Sequence, residues 1–365
     1  MLLYTSLILV PIILTPVELL SKRLYAFLSL FLIWIVIAFR ALTVGSDTLT
    51  YAQLYGQLAA QNLSGSSLLE LVNGRFELGY VLLNKFLYVI TPNPRILLIF
   101  AATIEMIAIG YFINKFSTSQ SLSIILFITM NFLAFSMNAL RQCLALTLVV
   151  LAVVFLIENN DWMYLVMVIG ASFFHKTALI MLILYPIWKM KLTKKIVITI
   201  FLITIVVIFS FEKWFGFLTT SIDSYNGYQV SAIGDGGGST ALYAKICILI
   251  VIIIFSYLSN RPEMEDTKIK PEFNLKIWKF FIVMLCISVS ITLIALQYSQ
   301  INRIATYFDI AYLVLIPRAI STTKNANIRF LEYLSVIVMS SAYFLVVQLY
   351  RPEWFGIIPY HFGWL

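Results

Sequence analysis

The stretch ALRQCLALTLVVLAVVFLI, residues 139–157, decides the class of fold. It contains one charged residue, Arg141, near its beginning, and the rest is apolar enough and long enough to cross a bilayer as a helix. The whole chain shares this character, because 61% of its 365 residues are hydrophobic and 12% are charged. A soluble domain does not have this composition. We therefore predict an all-α polytopic integral membrane protein with a single transmembrane domain over residues 1–365.

Apolar runs of this kind predict about twelve transmembrane helices. A further run, 78–91, is shorter and follows a polar loop, so we predict an interfacial or re-entrant segment there. The twelve predicted crossings are 3–20, 24–42, 95–113, 121–137, 139–157, 162–174, 176–188, 196–213, 242–259, 277–297, 304–319 and 330–350.

The distribution of lysine and arginine predicts the orientation of the chain. The cation-rich stretches 189–195 and 260–276 are predicted to be cytoplasmic loops. If the segment 78–91 does not cross the membrane, every cation-rich loop lies on the cytoplasmic side. Two long loops are then external: 43–94, which contains the interfacial segment, and 214–241.

Most cations on the predicted external side are arginines, whereas those on the cytoplasmic side are mostly lysines. Arginine stays charged when it is desolvated and binds phosphate groups through two hydrogen bonds. External arginines at the membrane edge therefore predict a diphosphate-binding site. These arginines are Arg40, Arg75, Arg95, Arg141, Arg303 and Arg351.

The stretch FRALTVGSDTLTY, residues 39–51, places Arg40 and Asp47 at the outer end of an apolar helix. A carboxylate in this position could take a proton from a sugar hydroxyl. A structural interpretation is that Arg40 extends to the membrane interface and Asp47 caps the next helix. Both interpretations can hold together.

Two further stretches carry charges beside apolar runs. NGRFELGY, residues 73–80, contains Arg75 and Glu77, which could bind substrate or lie in a solvated turn. Arg141 lies near the start of a long apolar helix, where a charge is costly and usually functional.

The stretch ASFFHKTALI, residues 171–180, interrupts a long apolar run with His175 and Lys176. A broken membrane helix needs protein or a water-filled cavity around it. His175 could hydrogen-bond a phosphate oxygen or shuttle a proton, although a single histidine is more often structural.

The stretch QINRIATYFD, residues 300–309, begins a helix with Arg303 and places Tyr307 one turn further on the same face. Asp309 lies deeper, and an internal ion pair is its simplest explanation. In the stretch 350–362 the aromatic residues are typical of an interfacial belt.

Several classes of site are excluded or disfavoured. No Walker A glycine loop is present, so ATP is not the energy source. The three cysteines lie in apolar segments, and the two histidines cannot form a multi-histidine metal site. Without a dense carboxylate cluster we expect neither a metal nor another cofactor, and no nucleic acid partner.

Five short motifs appear in an order that resembles the EpsG family of bacterial exopolysaccharide proteins, which includes Wzy-type O-antigen and capsule polymerases. The resemblance covers residues 40 to about 310. The motifs are R-x-x-x-x-G-x-D-T-x-x-Y (Arg40, Gly45, Asp47, Thr48, Tyr51), F-E-x-G-Y (Phe76 to Tyr80), L-R-Q-x-x-A (Leu140 to Ala145, with Gln142), F-H-K-T-A-L (Phe174 to Leu179) and R-x-x-x-Y-F (Arg303 to Phe308).

The resemblance implies a membrane glycosyltransferase with a GT-C-like plan in the bacterial inner membrane, acting at its external face. Its donor and acceptor would be oligosaccharide repeat units on undecaprenyl diphosphate, and membrane lipids, a flippase and a chain-length regulator would be its partners. Catalysis would fall to Asp47 as base, with Glu77 as second choice, and to His175. The expected substrate-binding residues are Arg40, Arg75, Arg141, Lys176, Arg303, Tyr51, Gln142 and Tyr307.

Three alternatives stay open. A lipid-linked glycan transporter would suit the broken helices and the buried carboxylates of Glu105 and Asp309. An O-antigen-type ligase has the same composition as a polymerase. A non-catalytic assembly partner would tolerate the loss of Asp47 or Arg141 without a change in glycan length.

Overall fold

A computed structural model describes residues 1–60, 76–221, 239–259 and 275–363 of the chain. Within these ranges the protein is helical and has no strand, so the predicted all-α class is confirmed. The first half of the chain forms α1 (Leu2–Ile13), α2 (Thr15–Leu20), α3 (Lys22–Ala38), α4 (Thr48–Ala60), α5 (Leu78–Ile90), α6 (Arg95–Phe116), α7 (Gln120–Thr129), α8 (Phe132–Ser136), α9 (Leu140–Ile157) and α10 (Asp161–Ser172).

The second half begins with a 3₁₀ helix and continues with longer apolar helices. Its elements are the 3₁₀ helix Lys176–Ile183, α11 (Leu184–Lys189), α12 (Lys194–Phe209), α13 (Phe211–Ser221), α14 (Ser239–Ser259), α15 (Leu275–Ile294), α16 (Asn302–Asp309), α17 (Tyr312–Ser321) and α18 (Ala326–Tyr350).

The described part has six segments that are long and apolar enough to cross a membrane, and one of them consists of α1 and α2 together. The number is seven if the bent pair α16 and α17 is counted as one span. Several other predicted crossings coincide with shorter helices, such as α10. The chain is therefore a multi-pass membrane protein, while the count of twelve crossings stays a prediction.

Helices α9 and α15 form the centre of the protein. In each of these helices 78% of the most apolar stretch is buried, compared with 22% in α18. Helix α9 packs against α6, α10 and the 3₁₀ helix. The single charge at the start of α9 is thus surrounded by other elements of the protein.

Helices α4 and α5 pack against each other and form a second apolar cluster with the first turns of α6 and α9. This cluster includes Tyr51, Tyr80, Leu97, Leu140 and Leu144. It brings the beginning of α5 close to the beginning of α9. The predicted external segment 78–91 therefore lies beside the charged end of the central helix.

The apolar run around His175 is broken, as predicted. Helix α10 ends at Ser172, and the chain resumes as a 3₁₀ helix eight residues long. Runs of 3₁₀ helix longer than three or four residues are uncommon and often mark functional segments. His175 itself has an extended backbone, which directs the next residues towards α5 and α16.

Candidate functional site

Arg141 lies in the first turn of α9 and pairs with Glu77, which directly precedes α5. Its Nη1 atom donates a hydrogen bond of 2.7 Å to Oε2 of Glu77. The two side chains are only 21% and 11% exposed, so the ion pair is largely withdrawn from water. The guanidinium also lies 5.0 Å from the ring centroid of Phe76, a cation–π contact. Together these contacts fix the position of the guanidinium.

Glu77 connects three separate parts of the chain. Its second carboxylate oxygen accepts a hydrogen bond of 3.4 Å from the backbone N–H of Lys176, at the start of the 3₁₀ helix. One carboxylate thus joins α5, α9 and the broken run at His175. Because both oxygens already accept hydrogen bonds, Glu77 is better suited to orient Arg141 than to take a proton.

Gly79 allows α5 to approach the end of α10 closely. A Cβ atom at this position would lie 2.7 Å from the carbonyl oxygen of Phe173 and 2.8 Å from its Cβ. Real Cβ atoms do not approach backbone this closely, so only glycine fits without a shift of one segment. This contact keeps Glu77 within reach of Lys176.

His175 begins a short polar chain that leads to α16. Its Nδ1 atom lies 2.6 Å from Oγ1 of Thr177, which in turn lies 3.3 Å from the hydroxyl of Tyr307. The side chain of Tyr307 is fully buried. The chain of three polar groups fixes the orientation of the imidazole ring.

Burial lowers the pKa of His175 to about 4; the Glu77 carboxylate opposes this shift, and Arg141 and Arg303 reinforce it. The ring is therefore neutral at pH 7. The unfolded chain, with a histidine pKa near 6.5, takes up this proton first as the pH falls, which destabilises the folded state.

We expect the wild-type protein to lose thermal stability between about pH 6.5 and pH 4 by more than His175→Gln does, because the variant has no imidazole to protonate. Unfolding midpoints in detergent at several pH values measure this difference. Parallel pH dependences of the two proteins would contradict the assigned environment of His175.

Gln142, Arg303 and Lys176 complete one side of the site. Nε2 of Gln142 donates a hydrogen bond of 2.6 Å to the carbonyl oxygen of Arg303, which attaches the start of α16 to α9. The side chains of Arg303 and Lys176 are exposed. Arg303 forms no ion pair within the described part of the chain. Its charge is thus available to an anionic ligand next to Arg141.

Asp47 lies at the start of α4 and is half-buried. Its backbone N–H donates a hydrogen bond of 3.0 Å to Oδ1 of Asn138. Its carboxylate accepts no hydrogen bond from the residues that the structure describes. One turn further on, the phenol of Tyr51 adjoins both Asp47 and Arg141. An uncommitted carboxylate therefore lies on the same side of the protein as the arginine.

The loop that carries Asp47 is held by residues far along the chain. The N–H groups of Gly45 and Ser46 donate to the carbonyl oxygens of Gly356 and Phe355, and that of Ala41 donates to the carbonyl of His361. We call residues 351–362 the C-terminal segment. Its aromatic residues predict an interfacial belt, with Arg351 and His361 as residues that could line the external mouth, and its main chain also fastens the Asp47 loop.

One predicted site residue, Arg40, is not brought to this cluster. Arg40 is fully buried, and its guanidinium donates to the carbonyl oxygens of Ile37 and Val44 and to the hydroxyl of Thr48. These contacts satisfy carbonyl groups at the end of α3 and keep the guanidinium buried. Arg75 lies outside the described residues.

The structure adds residues that sequence reasoning missed. Phe76 contacts the guanidinium of Arg141, Thr177 bridges His175 and Tyr307, and Asn138 positions the Asp47 loop. Phe76 and Thr177 lie inside the F-E-x-G-Y and F-H-K-T-A-L motifs, so these motifs could have indicated them as site residues. Among the described residues, no group of three or more His, Cys, Asp or Glu side chains is arranged to hold a metal ion.

Comparison with known proteins identifies a family. No curated protein and no solved structure matches the chain. The sequence profile of the EpsG family matches residues 23–362, which include both the Asp47 loop and the C-terminal segment that fastens it. The protein therefore belongs to the EpsG family.

Proposed function

We propose that this protein is a glycosyltransferase that polymerises undecaprenyl-diphosphate-linked oligosaccharide repeat units at the external face of the bacterial inner membrane. Membership of the EpsG family supports a membrane polysaccharide polymerase. The observation that carries the proposal is the convergence of Arg141, Glu77, His175, Lys176 and Arg303 at one end of the central helix.

The leaving group of this reaction is a diphosphate, whose negative charge grows as the glycosidic bond breaks. Fixed positive charges beside it stabilise the transition state more than the ground state. Arg141 is held by Glu77 and Phe76 and needs little rearrangement. Arg303 and Lys176, both exposed beside it, would contact the outer phosphate oxygens.

The acceptor hydroxyl must lose a proton as it attacks the anomeric carbon of the donor glycan. A new carbon–oxygen bond forms, the bond to the diphosphate breaks, and the lipid diphosphate leaves. Asp47 would take the proton, because its carboxylate is uncommitted within the described residues. Neutral His175, oriented by Thr177, would donate or accept a hydrogen bond beside the diphosphate.

The test is reconstitution of the purified protein in vesicles with the lipid-diphosphate repeat unit of its source strain, without ATP. We expect a ladder of products spaced by one repeat unit on a gel. Asp47→Asn should slow ladder formation by about 10²–10⁴-fold, as for loss of a general base. Its unfolding midpoint should be unchanged, because the variant keeps the backbone bond to Asn138.

Asp161→Asn is the matched control, since Asp161 pairs with Lys189 in an exposed ion pair at the far end of α10. Such pairs contribute about 0–1 kcal/mol, so this variant should keep its activity. Transfer of a single finished glycan to a lipid or protein acceptor would indicate a ligase. Movement of the lipid-linked unit across the bilayer without elongation would indicate a transporter.

A further inference from the structure

A cavity of about 130 Å³ lies beside α16. It is lined by residues at the break between α7 and α8, in the first turns of α14, in helices α16 to α18 and in the C-terminal segment. One water needs about 10–15 Å³ of such volume, so the cavity has room for about ten non-hydrogen atoms, roughly one sugar ring. Polar and aromatic groups in its wall include Asn131, Lys245, Asn302, Asp309, Tyr343 and Trp354.

A largely buried ion pair forms the polar part of this cavity. Nζ of Lys245 lies 2.8 Å from Oδ2 of Asp309 and donates a hydrogen bond of 3.0 Å to Oδ1 of Asn302. The ion pair that the sequence suggested for Asp309 is confirmed. The NH₂ group of Asn302 donates to none of the described residues. Ionisable groups at membrane depth are costly and usually functional.

Two helix breaks meet at the same cavity. Asn131, between α7 and α8, has a φ of +66°, in the left-handed region where asparagine is tolerated. Helices α16 and α17 are bent by 51° directly after Asp309. Irregular backbone at membrane depth is tolerated where it lines a cavity, and substrate sites of membrane proteins often use such breaks.

The chemistry of the wall fits a sugar ring better than an ion or a lipid tail. Lys245 already neutralises Asp309, so the cavity offers no net charge to a free cation. An ammonium, a carboxylate and an amide are hydrogen-bonding partners for hydroxyl groups. Aromatic side chains, among them Tyr343 and Trp354, offer surfaces against which the C–H face of a pyranose can pack.

Helix α16 separates this cavity from the site at Arg141. Asn302 and Asp309 are seven residues apart, about two turns, and line the cavity. Arg303 and Tyr307 are one turn apart and lie roughly a third of the circumference away, where Tyr307 contacts Thr177. A sugar bound in the cavity would therefore lie across one helix from the arginines that would hold the diphosphate.

We propose that this cavity is a second saccharide subsite, in which Lys245, Asp309 and Asn302 bind the hydroxyl groups of one sugar residue of the glycan. Only the choice of saccharide rests on the proposed function. The sugar could belong to the intact lipid-linked unit or to a glycan chain without its lipid. The chemistry of recognition is the same for both sources.

The test uses binding, which does not require turnover. The probe is the repeat-unit oligosaccharide of the source strain, released from its lipid by mild acid and titrated calorimetrically into the full-length protein in detergent. Leu242→Phe fills the cavity without altering its polar groups, since Leu242 is a buried part of its wall. Val251→Phe is the matched control on the same helix, because Val251 is 61% exposed.

We expect Leu242→Phe to weaken oligosaccharide binding at least about tenfold and Val251→Phe to leave it unchanged. Trp354→Leu, which removes one aromatic surface, should weaken oligosaccharide binding without lowering the unfolding midpoint. The same titrations with the intact lipid-linked unit distinguish the two sources: a lipid-linked sugar would show the same tenfold loss, and a lipid-free chain would not.

The outcomes separate this inference from the proposed function. Ladder formation by the wild type together with equal oligosaccharide binding by Leu242→Phe would overturn the subsite alone. No ladder, but binding that Leu242→Phe abolishes, would overturn the polymerase and support the subsite. An absence of oligosaccharide binding to the wild type would overturn the subsite whatever the polymerase does.

Discussion

Arg141→Ala is expected to reduce the rate of polymerisation by about 10²–10³-fold, the usual effect of removing one fixed donor from a developing anion. Arg141→Lys keeps the charge but loses the planar donor pair and the contact with Phe76, so it should recover only part of the rate. The measurement is the initial rate of ladder formation in vesicles for each variant.

Loss of activity in Arg141→Ala must be separated from loss of stability, because Glu77 is left with a buried, unpaired charge. Removing one partner of a buried pair costs about 3–5 kcal/mol. The double variant Arg141→Ala with Glu77→Gln removes that charge and should regain stability but not activity. Arg329→Ala, which removes an exposed guanidinium in the first turn of α18, is the arginine control. Full activity in Arg141→Lys would exclude bidentate diphosphate binding.

Gly79→Ala is expected to lower both stability and rate, although it adds only one methyl group. The added methyl group would meet the backbone of Phe173, which cannot rotate away as a side chain can. Either α5 or the end of α10 must shift, and overpacking of this kind costs about 1–3 kcal/mol. The shift would separate Glu77 from Lys176, and a displacement of about 1 Å can cost roughly 10²-fold in rate.

Gly56→Ala provides the matched control in the neighbouring helix α4. The nearest atom to its added Cβ would be a ring carbon of Tyr88 at 3.8 Å, an ordinary contact. Replacing glycine by alanine inside a helix stabilises by about 0.5–1 kcal/mol, so this variant should be slightly more stable and equally active. Equal rates and equal unfolding midpoints for the two variants would show that the contact between α5 and Phe173 has no role.

The helical class and several parts of the site were predictable because they depend on local properties. Composition and the length of the apolar runs indicate membrane helices, and a charge such as Arg141 at the end of such a run is conspicuous. The break at His175 was predictable for the same reason. The pairing of Arg141 with Glu77 was not, because it joins residues 64 apart that meet only through the second apolar cluster, which α4, α5 and the first turns of α6 and α9 form together.

Arg40 shows why residue type and position are not sufficient. It resembles Arg141 in charge and in its place at the end of an apolar run, yet the structure buries it against carbonyl groups. A cation near the end of a helix can satisfy the last carbonyls of that helix or face a ligand. Only the tertiary packing decides between these two environments.

The C-terminal segment was unpredictable for another reason. Main-chain N–H and C=O groups are the same in every residue, so the bonds from Gly45 and Ser46 to Gly356 and Phe355 leave no mark in the sequence. Its aromatic residues indicated contact with the membrane interface. They did not indicate that the segment holds the loop of Asp47.

These bonds have a consequence for biogenesis. Ser46 and Glu353, which touch through a side-chain hydrogen bond, are 307 residues apart, so the ribosome makes one long before the other. During that interval the Asp47 loop lacks the carbonyl groups that hold it, while the earlier helices are already entering the bilayer. The Asp47 loop can therefore reach its folded position only after the C-terminal segment has been made, and under the proposed function copies without that segment would not polymerise.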